Sequence, residues 1–299
     1  MRKITKDYDN PPELLTNEQG NQSIVGYCNA KAYIGERYKH KTVLTALQDL
    51  YHHKCGYCEE KIDGVSYEQI EHYRPKGGVN KKDLKPEEAH PGYYWLGDEW
   101  SNLLIACQRC NGNGKKGIRF PLSDPDHRIK EHFPLLDDGS YQISENHYAS
   151  NHHQGEDPLI LNPETKDPDD HLTINATGDL DAYQASPYGD QTIKICDLNR
   201  DGTALQRKKI IDDVINDINE ALDERLSPNE PLTEFQFGRR LNKIFAKITL
   251  NTLETAEFTL VNRCILRNFE QLILQDDRIE EPFRAVIHYH LLTYLQVNP

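Results

Sequence analysis

Residues 55–78 read "CGYCEEKIDGVSYEQIEHYRPKGG": two cysteines spaced Cys-x-x-Cys, then Glu71-His72 shortly before Pro75. Residues 100–117, "WSNLLIACQRCNGNGKKG", repeat the Cys-x-x-Cys spacing at Cys107 and Cys110. Cys55, Cys58, Cys107 and Cys110 have the types and pairing of one tetrahedral Cys₄ zinc site. Each pair chelates from a tight knuckle, and together the knuckles staple segments distant in sequence. Such a closed site leaves no open coordination position, so it holds the fold and does not catalyse. Chemistry must come from what it holds in place. Cys28, Cys196 and Cys264 stand singly and read as structural or incidental.

Between the knuckles, "SYEQIEHY" (66–73) reads as a strand ending at the Glu-His pair, with "NLLIAC" (102–107) as its partner. A short helix from the second knuckle brings Asn111 back toward His72. Neighbouring strand residues point to opposite faces, so Glu71 and His72 share a site only where the strand ends or twists, as Pro75 favours. Alone, a Glu-His pair is more often surface than catalytic. Its place between two knuckles, with Asn102 and Asn111 following, favours chemistry. The 29 residues between His72 and Asn102 include the aromatic "GYYWLGDEW". It could stack on bases, and anchoring of the long loop to the core is the preferred reading.

Working outward, a helix is expected from about Lys41 to His52, with Val43, Leu44, Leu47, Leu50 and Tyr51 on one stripe. The polar, turn-rich first forty residues are expected to wrap the surface. Four segments result: an N-terminal arm and helix (1–54), the cysteine-bearing unit (55–122), a mixed short-strand connection (123–203) and a helical C-terminal region (204–299). The helical region carries stripes such as Ile211, Val214, Ile215 and Ile218, then Leu241, Ile244, Phe245 and Ile248, which read as core. "HYASNHHQ" (147–154) could hold metal through His147, His152 and His153, and a polar loop is the preferred reading.

The chain has 299 residues, seven cysteines and a formal net charge of −13. No apolar run is long enough to cross a bilayer and no secretory signal opens the chain, so the expected location is cytoplasmic, where paired cysteines bind metal. The acid excess at first argues against nucleic acid. Residues 51–125, however, hold 11 basic and 11 acidic side chains, and 103–120 hold four basic and no acidic ones. A local basic face is what phosphate contact needs.

"CGYC", "IEHYRP", "SNLLIAC" and "CQRCNGNGK" in that order resemble the HNH endonuclease family, over about a quarter of the chain. The resemblance implies an α+β fold: a ββα-metal core stapled by the Cys₄ zinc, followed by the mainly helical region. It implies that His72 is the general base and that Asn102 ties the loop and aims His72. It further implies that Glu71 and Asn111 hold a catalytic Mg²⁺ or Mn²⁺. Arg74, Arg109, Lys115 and Lys116 become expected phosphate contacts, although Lys115 sits one residue late and "NGNGKKG" is glycine-rich for a helix. Asn111 stands where many relatives carry a second His. The substrate implied is DNA or RNA. The phrases "MRKI", "PLILNP" and "TIKICDLNR", with the helical tail, resemble the Septu-type antiphage HNH proteins, also found with some retrons. That implies a PtuA-type ATPase partner in a hetero-oligomeric complex, and "GNGKKG" lacks Walker A spacing, so nucleotide control would act in trans. The alternatives are a zinc-stabilised nucleic-acid or protein binding module without catalysis, and a stand-alone restriction-type HNH nuclease.

Overall fold

A computed structural model describes residues 1–16, 18–62, 68–112, 114–131 and 155–298. His147, His152 and His153 lie outside the described residues. Among the described residues the fold is α+β, with helices and two small sheets. The chain divides into two compact units, and the division does not follow chain order. One comprises residues 2–171 and 182–198, the other residue 1, 172–181 and 199–299.

The first unit opens with helices α1 (Glu13–Thr16) and α2 (Glu18–Ala30), then α3 (Lys41–Leu50). The arm does not merely wrap the surface. Ile4, Leu15, Tyr27 and Cys28 are buried, and the ammonium of Lys6 is taken inside by Glu164 at 3.1 Å and by the carbonyls of Trp100 and Leu103. A polar composition hid this because the arm is fastened by ion pairs and carbonyls rather than by an apolar stripe. In α3, Val43 and Leu47 turn inward with Tyr51, as the periodicity predicts, and the ring of His40 caps the first turn by accepting from the Thr42 amide.

Strand β1 (Glu68–His72) pairs antiparallel with β2 (Leu103–Cys107) in the register Glu68 to Cys107 and His72 to Leu103. β2 is buried throughout, so "LLIAC" is a core strand. The one-turn helix α4 (Gln108–Asn111) leaves directly from Cys107. The long loop between β1 and β2 is anchored by its aromatics: Tyr93, Tyr94, Trp95 and Trp100 are all buried. A buried network fastens it further. Glu156 accepts from Arg74 Nε at 2.9 Å and from the Tyr93 hydroxyl at 2.6 Å. Helix α5 (Pro187–Cys196), capped by the Ser186 hydroxyl, closes this unit where short strands were expected.

The second unit contains a small sheet of β3 (Leu172–Ile174) and β4 (Leu180–Ala182). It also contains helices α6 (Asp201–Leu226), α7 (Glu234–Leu250), α8 (Thr259–Arg267) and α9 (Glu281–Val297). The apolar stripes of α6 and α7 are buried as their spacing requires, and a capping box of Thr233 and Gln236 starts α7. The sheet belongs to this helical unit through side chains on α6 and at the C-terminal end of α8. Arg207 donates to the Gly178 carbonyl at 2.7 Å, and Asn268 donates to the Thr173 hydroxyl. No helix among the described residues is long and apolar enough to cross a membrane.

Candidate metal centre and the site around His72

The knuckles form first. In "CGYC" the Tyr57 amide points at Cys55 Sγ (3.4 Å), and the Gly56 amide donates to the Ile105 carbonyl of β2 at 2.9 Å. A Cβ at Gly56 would meet that carbonyl at 3.2 Å and the Tyr51 ring at 2.8 Å, so only glycine lets the knuckle lie this close to β2. The four sulfurs of Cys55, Cys58, Cys107 and Cys110 lie within 4.8 Å of one another and are buried. Cys58 and Cys107 Sγ are 3.8 Å apart. A tetrahedron with Zn–S bonds of about 2.3 Å has sulfur–sulfur edges of about 3.8 Å. The donor set therefore fits one zinc ion. The neighbouring thiols of Cys110, Cys55 and Cys58 lower the Cys107 thiol, whereas burial raises Cys55 and the neighbouring thiols raise Cys110; a metal cation would hold all four as thiolates.

The staple fixes the end of β1. Asn102 is fully buried and clamps the chain after His72: its Oδ1 accepts from the Arg74 amide at 2.7 Å, while its Nδ2 donates to the carbonyls of Arg74 (3.0 Å) and Leu96 (3.1 Å). That clamp brings Gly97 over the imidazole. His72 Nε2–H donates to the Gly97 carbonyl at 2.8 Å, so the ring is the Nε2–H tautomer and Nδ1 holds the lone pair. Lys76 Nζ donates to that Nδ1 at 3.2 Å and to the Tyr38 hydroxyl at 3.1 Å. Burial, then the Lys76 charge, holds His72 well below the ordinary histidine range, so the ring is neutral at pH 7.

Glu71 is also buried, and its Oε1 accepts from Lys116 Nζ at 2.6 Å. Burial pushes its carboxyl up, and the Lys116 charge opposes that shift. Asn111 Nδ2 donates to Gln69 Oε1 at 3.1 Å, placing Asn111 on the side of β1 that carries Gln69 and Glu71. Asn111 Oδ1 is buried with no hydrogen-bond partner among the described residues. His72 faces the other side, where Tyr38 meets it edge-on at 4.5 Å between centroids.

The basic side chains sort unequally. Arg74 and Lys116 are buried and paired with Glu156 and Glu71, and Lys115 is paired with Asp197 just beyond α5. Arg109 keeps about half of its side chain in solvent, 3.7 Å from Glu60. As they stand, the first three spend their charge on the protein's own carboxylates, which explains how Arg74 and Lys116 reside in the interior, while Lys115 stays partly exposed.

Several residues at the site carry no sequence signal strong enough to find them. Tyr33 and Tyr38 arrive from the arm, and Asp98 organises them by accepting from the hydroxyls of Tyr27 (2.6 Å) and Tyr33 (2.7 Å) and from the Tyr38 amide. A Cβ at Gly97 would overlap the Tyr33 ring at 2.0 Å. Lys76 sits four residues after His72 in "HYRPK", a spacing that could have drawn attention had the strand end been known to curl. Cys196 is fully buried, and burial raises its thiol; it is structural, as its isolation suggests.

No family model matches the chain, and no solved structure matches it. Among curated proteins, a Septu protein PtuB of Bacillus mycoides (strain KBAB4) is 34% identical over 223 residues, covering 75% of this chain and 68% of that relative. A Septu protein PtuB of Bacillus thuringiensis is 32% identical over 117 residues, covering 39% of this chain and 38% of the relative. With its buried four-cysteine cluster in an α+β fold, the chain belongs to the family of Septu PtuB proteins.

Proposed function

We propose that the protein is a metal-dependent HNH endonuclease that hydrolyses phosphodiester bonds in nucleic acid, as the effector of a Septu-type antiphage system with a partner ATPase. The observation that carries this reading is His72. Its Nε2–H is committed to the Gly97 carbonyl, so a neutral ring presents Nδ1 as its sole basic atom. A general base needs that arrangement, with the proton-accepting nitrogen fixed and the ring unprotonated near neutral pH. His72 would take the proton of the attacking water, and Asn102 holds the segment that aims it.

Glu71, once released by Lys116, and Asn111 Oδ1, which has no partner among the described residues, would supply the oxygen donors for a hard divalent cation such as Mg²⁺ or Mn²⁺. Such an ion, when bound, stabilises charge on the scissile phosphate and the departing oxygen. Lys116 beside Glu71 indicates that the pocket is built around positive charge. In this reading 55–122 is the ββα-metal core and the helical region after residue 204 docks the ATPase.

Purified protein incubated with plasmid DNA and with tRNA, with Mg²⁺ or with chelator, with and without the ATPase, tests the proposal. Mg²⁺-dependent cleavage that His72→Ala abolishes is the expected result. A second reading, a zinc-stabilised binding module without catalysis, draws on the burial of His72 beneath Lys76 and Tyr38. Nucleic-acid binding without cleavage under every condition would favour it.

A further inference from the structure

Among the described residues, Lys76 is a cation of this site with no carboxylate within ion-pair distance. Lys116, Arg74 and Lys115 each sit against a carboxylate. Half-buried Lys76 has neutral partners in contact among the described residues: the Tyr38 hydroxyl, His72 Nδ1, and the ring faces of Tyr38 and Tyr33 at 4.3 and 5.4 Å. Glu71 and Asp98 act on it from beyond ion-pair distance, the first bound to Lys116 and the second to three donors of the arm. Burial draws its ammonium down to about 8. An ammonium held by aromatic faces and neutral acceptors stays attractive to an incoming anion. It also fills the one position at which His72 can accept a proton.

We propose that Lys76 is the substrate-admitting residue of this site: its ammonium masks His72 Nδ1 in the free protein and is drawn off that nitrogen by the charged oxygen of a phosphodiester, so that substrate binding exposes the base. The proposal rests on the nuclease reading for the role of His72, but the phosphate contact can be measured without cleavage. The side chain has the means to make this switch. Four methylenes give an ammonium several ångströms of travel, and the Tyr33–Tyr38 wall lines its path. Lys76 is a positioning residue with respect to the base and a direct contact with respect to the phosphate.

The test uses the full chain without added divalent metal, at low salt, with a labelled short DNA duplex and a labelled RNA stem-loop as separate probes. Lys76→Met is expected to weaken binding of the probe that binds best by about tenfold or more, the weight of one charge-assisted hydrogen bond. It should also reduce the salt dependence of binding by about one phosphate contact. Lys76→Arg should recover part of both. Zinc content and circular dichroism establish that each variant is folded. Should Lys76→Met fail to fold, acylation of native Lys76 by an amine reagent, read by peptide mass spectrometry, replaces it, with the bound probe expected to protect the residue. Unchanged affinity and salt slope in folded Lys76→Met, or no protection of Lys76, overturns the proposal. In the cleavage assay, loss appearing in KM supports it, and loss confined to kcat overturns it. Binding and protection without any cleavage sinks the nuclease reading and retains Lys76 as a phosphate contact. Failure of the wild-type chain to bind either probe overturns both.

Discussion

Asn102 bonds three backbone groups from a fully buried position, and losing it strands the Arg74 amide and carbonyl, while the Leu96 carbonyl keeps the Glu99 amide. Asn102→Ala is therefore expected to lower stability by about 1–3 kcal/mol, read from the shift of a urea midpoint. It should also free Gly97 from the imidazole and blunt any activity. His72→Ala is different: it costs the hydrogen bond to the Gly97 carbonyl but leaves the four cysteines and the Asn102 clamp in place. Turnover should fall by about a hundredfold to ten-thousandfold with zinc content unchanged, because a general base acts in the transition state. Asn111→Ala should leave cleavage partly rescuable by higher metal or by manganese, since it removes one oxygen ligand and not the base. Lys116→Met tests the charge beneath the site. Leaving buried Glu71 unpaired is expected to cost about 3–5 kcal/mol, and adding Glu71→Gln should recover much of that. These residues were partly legible. His72, Asn102 and Asn111 stand in a spaced pattern between knuckles, whereas Lys76 and Tyr38 gain meaning only once the strand end and the arm meet around the imidazole.

The elements depend on the staple. β1 and β2 share five residue pairs, too little hydrogen bonding to stand alone, and the sulfurs that flank them are crowded and buried. One tightly bound zinc per chain is expected, and metal analysis of freshly purified, chelator-free protein checks it. Cys55→Ser and Cys107→Ser should lower solubility and thermal stability before any other property, because structural zinc binding is itself folding free energy. α3 was readable from its stripe, as were α6 and α7. α5 was not, since "PYGDQTIKIC" carries Pro187 and Gly189 in its first turn and the β-branched Thr192, Ile193 and Ile195 after it, which read as a short strand. What makes it a helix is the Ser186 cap and the burial of Thr192, Ile195 and Cys196.

At the scale of the molecule, the acidic excess and the helices beyond the cysteine unit point to restraint and docking. A chain at −13 is repelled by polyanions, all the more because Arg74, Lys115 and Lys116 are paired with its own carboxylates. The isolated protein is expected to cleave slowly, and the complex with the ATPase to cleave efficiently; equal rates would end the restraint idea. On α9, Tyr289 and Leu292 are exposed while Ile287 and Leu291 are buried. Replacing both exposed residues with Ser should leave the fold intact and reduce co-purification with the ATPase if the helices are the docking surface. Undiminished co-purification would place docking elsewhere. A cut after residue 204 is a poorer test than it looks, because 172–181 packs with the removed helices through Arg207 and Asn268.

Spacing and periodicity are local properties, and from them the sequence alone determined the four-cysteine cluster, the strand that ends at Glu71-His72, and the helical character of the C-terminal region. The tertiary structure decided what depends on contacts between distant segments. It placed the arm's Tyr33 and Tyr38 against His72, and paired Lys116 with Glu71 and Arg74 with Glu156. It also assigned β3 to the helical unit and α5 to the one that carries the four cysteines. A charge shows its residue type in the sequence, but which carboxylate neutralises it is fixed only when burial makes an unpaired ion too costly.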